Sequence, residues 1–448
     1  MATQDTPELV PAQGSPPRLD KQSRNDGSAT SKKNADETKS QKRRVFAFIA
    51  AVFAFALVNV VLAKAKIGVN SPTDFPYSTW SSTAIEDYLS NSNGRPQIAL
   101  LGSSLMLNPL GAVDADYKRE PIDEPYHHKS EYLQDKLKKL TGMSVSTFNF
   151  AIPGEMPSDA YFISKFLFKG EKRPDVIVYG VGPRDFMDNL LPNPMVTDPF
   201  EHIARLGDVS DHLNLLAPDW QDQLNFKLGR WIFAYGHKAD LSCDIQRLCT
   251  NALVPHLPAE TPLEEMEYRK MILPDFHGFE VRPKACKVRP TTQWTAHNFN
   301  DNTEEYKNRY HQLKWEIFLT QFRFFGETLD LARERNIHTI VVSMPVTQRN
   351  RDLIPNGAWQ LYKQSLRVMA KTKGATYIDL EATKDFDSSD FGDTVHLNSA
   401  GGQKMLSMLA QYVSDDKKAI AAITPKHFQR DDILPAPKMV AGLKEHRL

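Results

Sequence analysis

The sequence predicts an α/β domain built on a parallel β-sheet, and three observations support this fold class. Short apolar segments alternate with segments of helical periodicity from about Pro96 onwards, which is typical of a parallel sheet covered by helices on both faces. Several of the apolar segments end in glycine-bearing turns. The chain has 448 residues, of which 41% are hydrophobic and 25% charged, so it can build a full core. Ligands bind such sheets at the carboxyl ends of the strands, where we therefore expect a functional site.

Five strands are predicted from short apolar runs: Ile98–Leu101, Val145–Phe150, Val176–Tyr179, Thr339–Ser343 and Ala375–Leu380. Helices are predicted between and after them: Tyr126–Leu140, Ser158–Phe168, Thr303–Asn336, Trp359–Lys373 and Gln403–Val413. The longest of these helices carries apolar side chains at helical spacing, which indicates a side facing the core: Leu313, Ile317, Phe322, Phe325 and Leu329.

The N-terminal region predicts a membrane anchor. Residues 1–44 are polar and are predicted to be disordered, whereas Val45–Ala63 contains no charge and only one polar side chain, Asn59. At ~1.5 Å per residue this segment covers roughly 28 Å as a helix, about one hydrocarbon core. A cleaved signal peptide, with Ala63-Lys64-Ala65 as the cleavage site, and a buried helix remain alternatives.

The distribution of basic residues predicts the orientation of this anchor. Lys42, Arg43 and Arg44 precede the span directly and outnumber Lys64 and Lys66 on its other side. By the positive-inside rule, the N-terminus is expected in the cytoplasm and the rest of the chain outside it, in the periplasm if the protein is bacterial. The sequence thus predicts a single-pass membrane protein with an exported domain.

The exported part is expected to contain three segments besides the α/β alternation. A polar connector covers 64–95 with a short helix near Ser82–Leu89, and a tail covers 424–448. Between them, the domain at 96–423 contains a large insertion at about 186–303, which is predicted to be mostly helical and to pack over the site or bind a partner.

Cysteines and charge limit the chemistry. The three cysteines, Cys243, Cys249 and Cys286, lack metal-ligand spacing, and both a Cys243–Cys249 disulfide and buried thiols remain open. With 55 basic and 55 acidic side chains, no overall positive field favours nucleic acid as a partner.

Two distant motifs suggest acyl-transfer chemistry. Ser104 follows the first predicted strand, where a serine is exposed near the free N–H groups of a helix start. Asp393-x-x-His396 follows the last strand, and a histidine can activate a serine when a carboxylate orients its ring. The alternative is a loop histidine that caps the helix after Asn398. Both motifs fall at the same edge of the predicted sheet, which favours the catalytic hypothesis.

Four segments in this order resemble the sequence blocks of the SGNH, or GDSL, hydrolase superfamily: Gly102-Ser103-Ser104-Leu105, Gly154, Gly182-Pro-Arg-Asp185 and Asp393-x-x-His396. The resemblance implies a flavodoxin-like, three-layer α/β/α fold. It also implies a nucleophile at Ser104, a base at His396 and an orienting carboxylate at Asp393, with the N–H groups of Ser104 and Gly154 as oxyanion donors. Neither a metal nor a cofactor is expected.

Two positions depart from the pattern of that family. Ser103 stands where an acidic residue is usual, and Arg184 replaces the asparagine that donates to the oxyanion. The Arg184 guanidinium could donate to an oxyanion, bind a substrate carboxylate or pair with Asp185. We count Arg184 and Asp185 with Gly154 as candidates for oxyanion or substrate binding.

An exported SGNH-like domain behind one anchor resembles envelope proteins of alginate acetylation and of teichoic-acid alanylation. That resemblance implies an acyl-ester or glycan substrate and an integral membrane acyltransferase as a partner. The sequence therefore predicts a membrane-anchored serine esterase or O-acyltransferase acting on envelope glycan or lipid. The alternative is a non-catalytic scaffold or binding subunit of a complex that modifies an envelope polysaccharide.

Overall fold

The computed structural model describes residues 27–65, 79–90, 95–253, 256, 287–292, 295 and 298–424. The chain divides into an N-terminal unit, Met1–Lys66, and a larger unit, Ile67–Leu448.

The N-terminal unit contains one long helix, α1 (Gly27–Ala65). Its segment Lys39–Ala65 is 27 residues long, reaches a mean hydropathy of 2.8 and is not buried, so it is long and apolar enough to cross a membrane. The prediction of disorder over 1–44 is wrong from Gly27 onwards. The apolar segment supplies the helix nucleus, and good helix formers such as Ala, Lys, Glu and Gln extend it towards the N-terminus without a second nucleation cost.

The larger unit is a mixed α/β structure around a five-stranded parallel sheet. Its strands are β1 (Ile98–Gly102), β3 (Thr147–Asn149), β4 (Val176–Val181), β6 (His338–Ser343) and β7 (Thr376–Asp379), in the spatial order β3-β1-β4-β6-β7. Ile98 lies opposite both Thr147 and Val176, and Val178 lies opposite Ile340. Two further short strands, β2 (Ile122–Asp123) and β5 (Lys287–Val288), pair antiparallel.

Helices connect and follow these strands. Before β4 they are α2 (Trp80–Ser90), α3 (Ser104–Lys118), α4 (Glu131–Thr141) and α5 (Pro157–Leu167). Between β4 and β6 they are α6 (Arg184–Met187), α7 (Asp198–Ile203), α8 (Leu213–Leu216), α9 (Trp220–Trp231), α10 (Phe233–Gly236), α11 (Lys238–Leu253), α12 (Thr303–Tyr310) and α13 (Trp315–Glu334). After β6 they are α14 (Gln348–Arg351), α15 (Ala358–Lys373), α16 (Ser399–Asp415) and α17 (Lys417–Ile423).

The strand order places helices on both faces of the sheet. From β3 the chain advances through β4 and β6 to β7 in one direction, whereas the step from β1 to β3 runs in the opposite direction. Because parallel crossovers are right-handed, α5, α13 and α15 lie on one face and α3 and α4 on the other. The contacts agree, since α13 packs on α5 and α15, and α16 packs on α3 and α4.

Two predicted boundaries inside this unit are wrong. Part of the connector belongs to the fold, because α2 buries Ile85 and Tyr88, and the Tyr88 ring packs against Phe148 and Phe150. The predicted helix Thr303–Asn336 is two helices, α12 and α13. Asn189 explains the break, since its side-chain amide donates to the carbonyl oxygens of Arg309 (2.7 Å) and Gln312 (2.7 Å) and so replaces the helical partners there.

The described part of the insertion is mostly helical, from α7 to α11, and it also contains the short strand β5 and non-helical segments around it. Cys249 is a free thiol, while Cys286 and the side chain of Cys243 lie outside the described residues. Residues 425–448, the predicted tail, also lie outside them.

Candidate active site

The structure brings Ser104, His396 and Asp393 together at the carboxyl edge of the sheet. Ser104 is the first residue of α3 and is separated from β1 by Ser103 alone, and the other two lie in the loop between β7 and α16. His396 Nε2 lies 2.8 Å from Ser104 Oγ, and His396 Nδ1 lies 2.6 Å from Asp393 Oδ2. A carboxylate only accepts, so Nδ1 carries the proton and Nε2 of the neutral ring accepts from the serine hydroxyl.

The alternative role for His396, as a helix cap, is excluded. Asn398 caps α16, because its side-chain oxygen accepts a hydrogen bond from the Gly401 N–H at 3.1 Å. His396 is left with Ser104 and Asp393, and its side chain is 18% exposed, so a solute can reach it.

Asp393 is fixed by its own loop as well as by the histidine. Its Oδ1 accepts from the N–H groups of Val395 (2.8 Å) and His396 (2.7 Å), which leaves Oδ2 for the ring. Burial would raise the pKa of Asp393, but the hydrogen bond and charge of His396 and the two N–H groups outweigh it and lower that pKa below its ordinary value. Asp393 is therefore an ionised acceptor that sets the orientation of the ring.

Two asparagines that the sequence analysis did not single out hold this loop in place. Asn302 Oδ1 accepts from the Thr394 N–H (3.1 Å) and from the Thr394 hydroxyl, and the Asn300 N–H donates to the carbonyl oxygen of Gly392 at 2.7 Å. On another side, the Thr347 hydroxyl donates to the carbonyl oxygen of Thr394 at 2.7 Å. We name residues 380–398, which carry Asp393 and His396, the triad loop. The end of the insertion thus supports the triad loop, and no local sequence signal marks this long-range contact.

The two expected oxyanion donors lie on adjoining turns. Gly154 has a φ of +81°, which favours glycine, and the Ile152 N–H of the same turn donates to the carbonyl oxygen of Gly102 at 3.0 Å. Within the described ranges, neither the Ser104 N–H nor the Gly154 N–H donates to a protein acceptor. The Ser104 N–H also belongs to the first turn of α3, where the helix dipole favours negative charge.

Of the three roles predicted for Arg184, the structure shows pairing with Asp185. It is 8% exposed, and its guanidinium contacts Asp185 (3.2 Å) and Asp188 (3.4 Å). Its Nη2 also donates to the carbonyl oxygen of Glu155 at 3.1 Å. Arg184 therefore stabilises the turn that carries Gly154, and the hydrogen bonds of its guanidinium are made to protein groups.

Asp185 is likewise used inside the fold. Its Oδ2 accepts from the Gly182 N–H at 2.8 Å, and its carboxylate is 2% exposed. Burial raises its pKa, and the Arg184 charge, the Gly182 N–H and the Ser103 hydroxyl oppose that rise. The expectation that Asp185 contacts substrate does not fit this burial. The neighbouring Ser103 is also inaccessible to substrate, since it is 1% exposed.

Glu155 is a buried carboxyl group next to Gly154 that the sequence analysis did not identify. It is 2% exposed, and burial together with the charges of Asp159 and Asp185 raises its pKa well above the ordinary value. The backbone at Ile152 and Gly102 opposes this rise without cancelling it. We therefore expect a protonated Glu155 beneath the turns that carry the two oxyanion donors.

The raised pKa of Glu155 predicts a pH-dependent loss of stability. Unfolding lets Glu155 ionise above its ordinary value of 4.5, so stability is full below about that pH and falls as the pH rises towards the folded pKa. Glu155→Gln keeps the shape and cannot ionise. Its Tm should exceed that of the parent at about pH 8 by more than at about pH 5, as followed by circular dichroism of the full chain in micelles. Glu171→Gln, an exposed control, should behave like the parent; equal pH dependence in all three proteins would contradict a buried neutral Glu155.

A polar cleft lies beside the triad loop. It has a volume of about 650 Å³ and lies between the start of α14, the start of α15 and the end of β7. Ser104 and His396 do not line it, but Gln348 on its wall follows Thr347, which bonds to Thr394 of the triad loop. Its lining includes one aromatic ring among amide and charged side chains: Gln348, Arg351, Trp359, Gln360, Glu381 and Lys384.

No protein-family model matches the chain, and no curated protein sequence matches it significantly. In the part of the chain that the structure describes, no group of three or more His, Cys, Asp or Glu side chains could hold a metal ion. The geometry alone defines the class of site: a serine, a histidine and an aspartate hydrogen-bonded in series beside free backbone N–H groups.

Proposed function

We propose that the protein is a membrane-anchored serine esterase or O-acyltransferase of the SGNH type, which acts through an acyl-serine on a glycan or lipid of the cell envelope. One observation carries the proposal: the His396 ring bonds to Ser104 Oγ at 2.8 Å and to Asp393 Oδ2 at 2.6 Å. The spatial order of the five parallel strands supports it, because counted along the chain that order is the 2-1-3-4-5 of flavodoxin-like sheets.

In the first half of the reaction, Ser104 Oγ attacks the carbonyl carbon of an acyl ester while His396 Nε2 takes the serine proton. Negative charge develops on the carbonyl oxygen, and the N–H groups of Ser104 and Gly154 are the donors we assign to it. His396 then passes the proton to the leaving alcohol, the ester C–O bond breaks, and the acyl group remains on Ser104. Asp393 stabilises the imidazolium throughout.

In the second half, His396 deprotonates either water or a hydroxyl group of an acceptor, which attacks the acyl-serine. Water gives hydrolysis, and a sugar hydroxyl gives transfer. The cleft beside the triad loop supports a polar acceptor, because its amide and charged side chains can hydrogen-bond to hydroxyl groups.

The candidate anchor supports a location of this chemistry in the cell envelope. The candidate span lies in Lys39–Ala65. Within it, Lys42, Arg43 and Arg44 precede the uncharged segment Val45–Ala63 and favour a cytoplasmic N-terminus and an exported catalytic unit. An integral membrane acyltransferase that delivers the acyl group is a fitting partner for such a layout.

Covalent labelling tests the proposed nucleophile. The full chain in detergent micelles is treated with a fluorophosphonate, and the modified residue is located by peptide mass spectrometry. We expect a single adduct on Ser104, and blocking the reaction by heat denaturation shows that it needs the folded site. An unlabelled Ser104 in the folded protein would refute the catalytic proposal and favour the non-catalytic scaffold.

A further inference from the structure

Helix α9 presents an apolar stripe to solvent. Trp220, Leu224 and Trp231 are 69%, 42% and 75% exposed, and they recur at helical spacing. At about 100° per residue, these three side chains lie within about 40° of one another around the helix axis. Lys227 is exposed on the same side. We name these four residues the tryptophan face.

The opposite side of α9 attaches the helix to its unit. Asp222 accepts a hydrogen bond from the Asn193 amide at 3.1 Å, and Phe226 packs against the hydrophobic core. Both residues lie roughly half a turn from the tryptophan face. The attachment of α9 therefore directs Trp220 and Trp231 away from the core, about 16 Å apart along the helix.

The chemistry of this face matches the headgroup region of a bilayer. Tryptophan is enriched at the membrane–water boundary, where its ring is apolar and its N–H remains hydrated. Interfacial helices combine such aromatic side chains with lysine, which attracts anionic lipid. Lys227 at the centre of the stripe argues against a protein partner, since charged residues are depleted from the cores of protein interfaces.

The chain also supplies a reason for a bilayer to be near. Its candidate span ends at Ala65, and the fourteen residues between Ala65 and Trp80 reach at most about 50 Å when fully extended. If α1 is an anchor, a tether of this length raises the effective concentration of lipid around an exposed apolar helix of the larger unit.

We propose that the tryptophan face of α9 binds the surface of the bilayer in which the protein is anchored, with preference for anionic lipid. This binding orients the catalytic unit on the membrane. The proposal depends on α1 being an anchor and does not depend on the reaction at Ser104.

Fluorescence quenching by lipid tests the proposal. The full chain is reconstituted into vesicles of phosphatidylcholine and phosphatidylglycerol, in which the lipid carries bromine near the headgroup. The chain has six tryptophans, so contact through two of them should remove up to about a third of the emission if all emit equally. The double variant W220F/W231F should lose this quenching, and the control W315F, whose tryptophan is 53% exposed elsewhere, should keep it.

Each other result overturns the proposal. Equal quenching of the parent and W220F/W231F would place the lipid contact elsewhere. Emission insensitive to bromine would mean that something other than lipid covers the tryptophan face. A lower oligomer mass for W220F/W231F would identify a second copy of the chain. Failure of acrylamide to quench Trp220 and Trp231 without lipid would identify residues 254–286. Release of the chain from membranes by alkaline carbonate would show that α1 does not span the bilayer, and this result would also overturn the proposal. An unchanged far-ultraviolet circular dichroism spectrum and Tm for W220F/W231F show that the variant is folded, so this test does not depend on the proposed ester chemistry.

Discussion

Replacing Ser104 with alanine is expected to lower kcat/KM for p-nitrophenyl acetate by about 10³-fold or more, because the variant has no oxygen to form the acyl-serine. What remains is catalysis by the backbone N–H groups of the two turns and by binding alone. The fold should survive, since Ser104 is only partly buried and its side chain bonds to His396 alone among the described residues. Initial rates of nitrophenolate release from the full chain in micelles measure this effect.

Ser103→Ala is the matched control for this measurement. Ser103 is adjacent in the chain but 1% exposed, so it cannot reach a substrate. Removal of the Ser103 hydroxyl should lower kcat/KM by less than about tenfold, because only a hydroxyl beside Asp185 is lost. Equal rates for the parent and Ser104→Ala, or a larger loss in Ser103→Ala, would show that Ser104 is not the nucleophile.

The second large effect is expected from Asp393→Asn, which should lower kcat by about 10³- to 10⁴-fold. The asparagine oxygen can still accept the N–H groups of Val395 and His396, so the loop should keep its shape. Its NH₂ group then faces His396 Nδ1 and donates to it, which forces the ring proton onto Nε2. In that tautomer the ring donates towards Ser104 and cannot take its proton. Burst and steady-state kinetics of ester hydrolysis measure this loss.

Asp385→Asn provides the comparison for Asp393→Asn. Asp385 is exposed in the same loop region, so its variant should keep the parent rate. If both variants unfold near the Tm of the parent, the fold is intact. The loss of kcat in Asp393→Asn then results from the changed His396 tautomer. A parent-like kcat for Asp393→Asn would show that His396 does not depend on Asp393.

The α/β class was predictable because buried parallel strands carry nearly continuous apolar runs, and all five were located to within three residues at each end. Boundaries set by distant partners were not predictable. The break between α12 and α13 depends on the amide of Asn189, which is more than a hundred residues away in the chain. The burial of α2 depends on a pocket of aromatic rings that includes Phe148 and Phe150. The N-terminal extension of α1 was missed for a different reason. The prediction of disorder used only the polar composition of residues 1–44 and did not consider that a helix formed by the adjacent apolar segment can propagate into them.

The sequence by itself determined which residues could do the chemistry: a serine after the first strand and an Asp-x-x-His directly before α16. Spacing within the motif already fixes part of the site, because Asp393 binds its own loop N–H groups three residues from His396. Only the tertiary structure decided that Ser104 and His396, 292 residues apart, lie 2.8 Å from each other. It also decided that Arg184 braces the Gly154 turn and that Asn302 holds Thr394. The physical reason is that such contacts arise from strand order and packing, which bring together residues that carry no mutual signal in the chain.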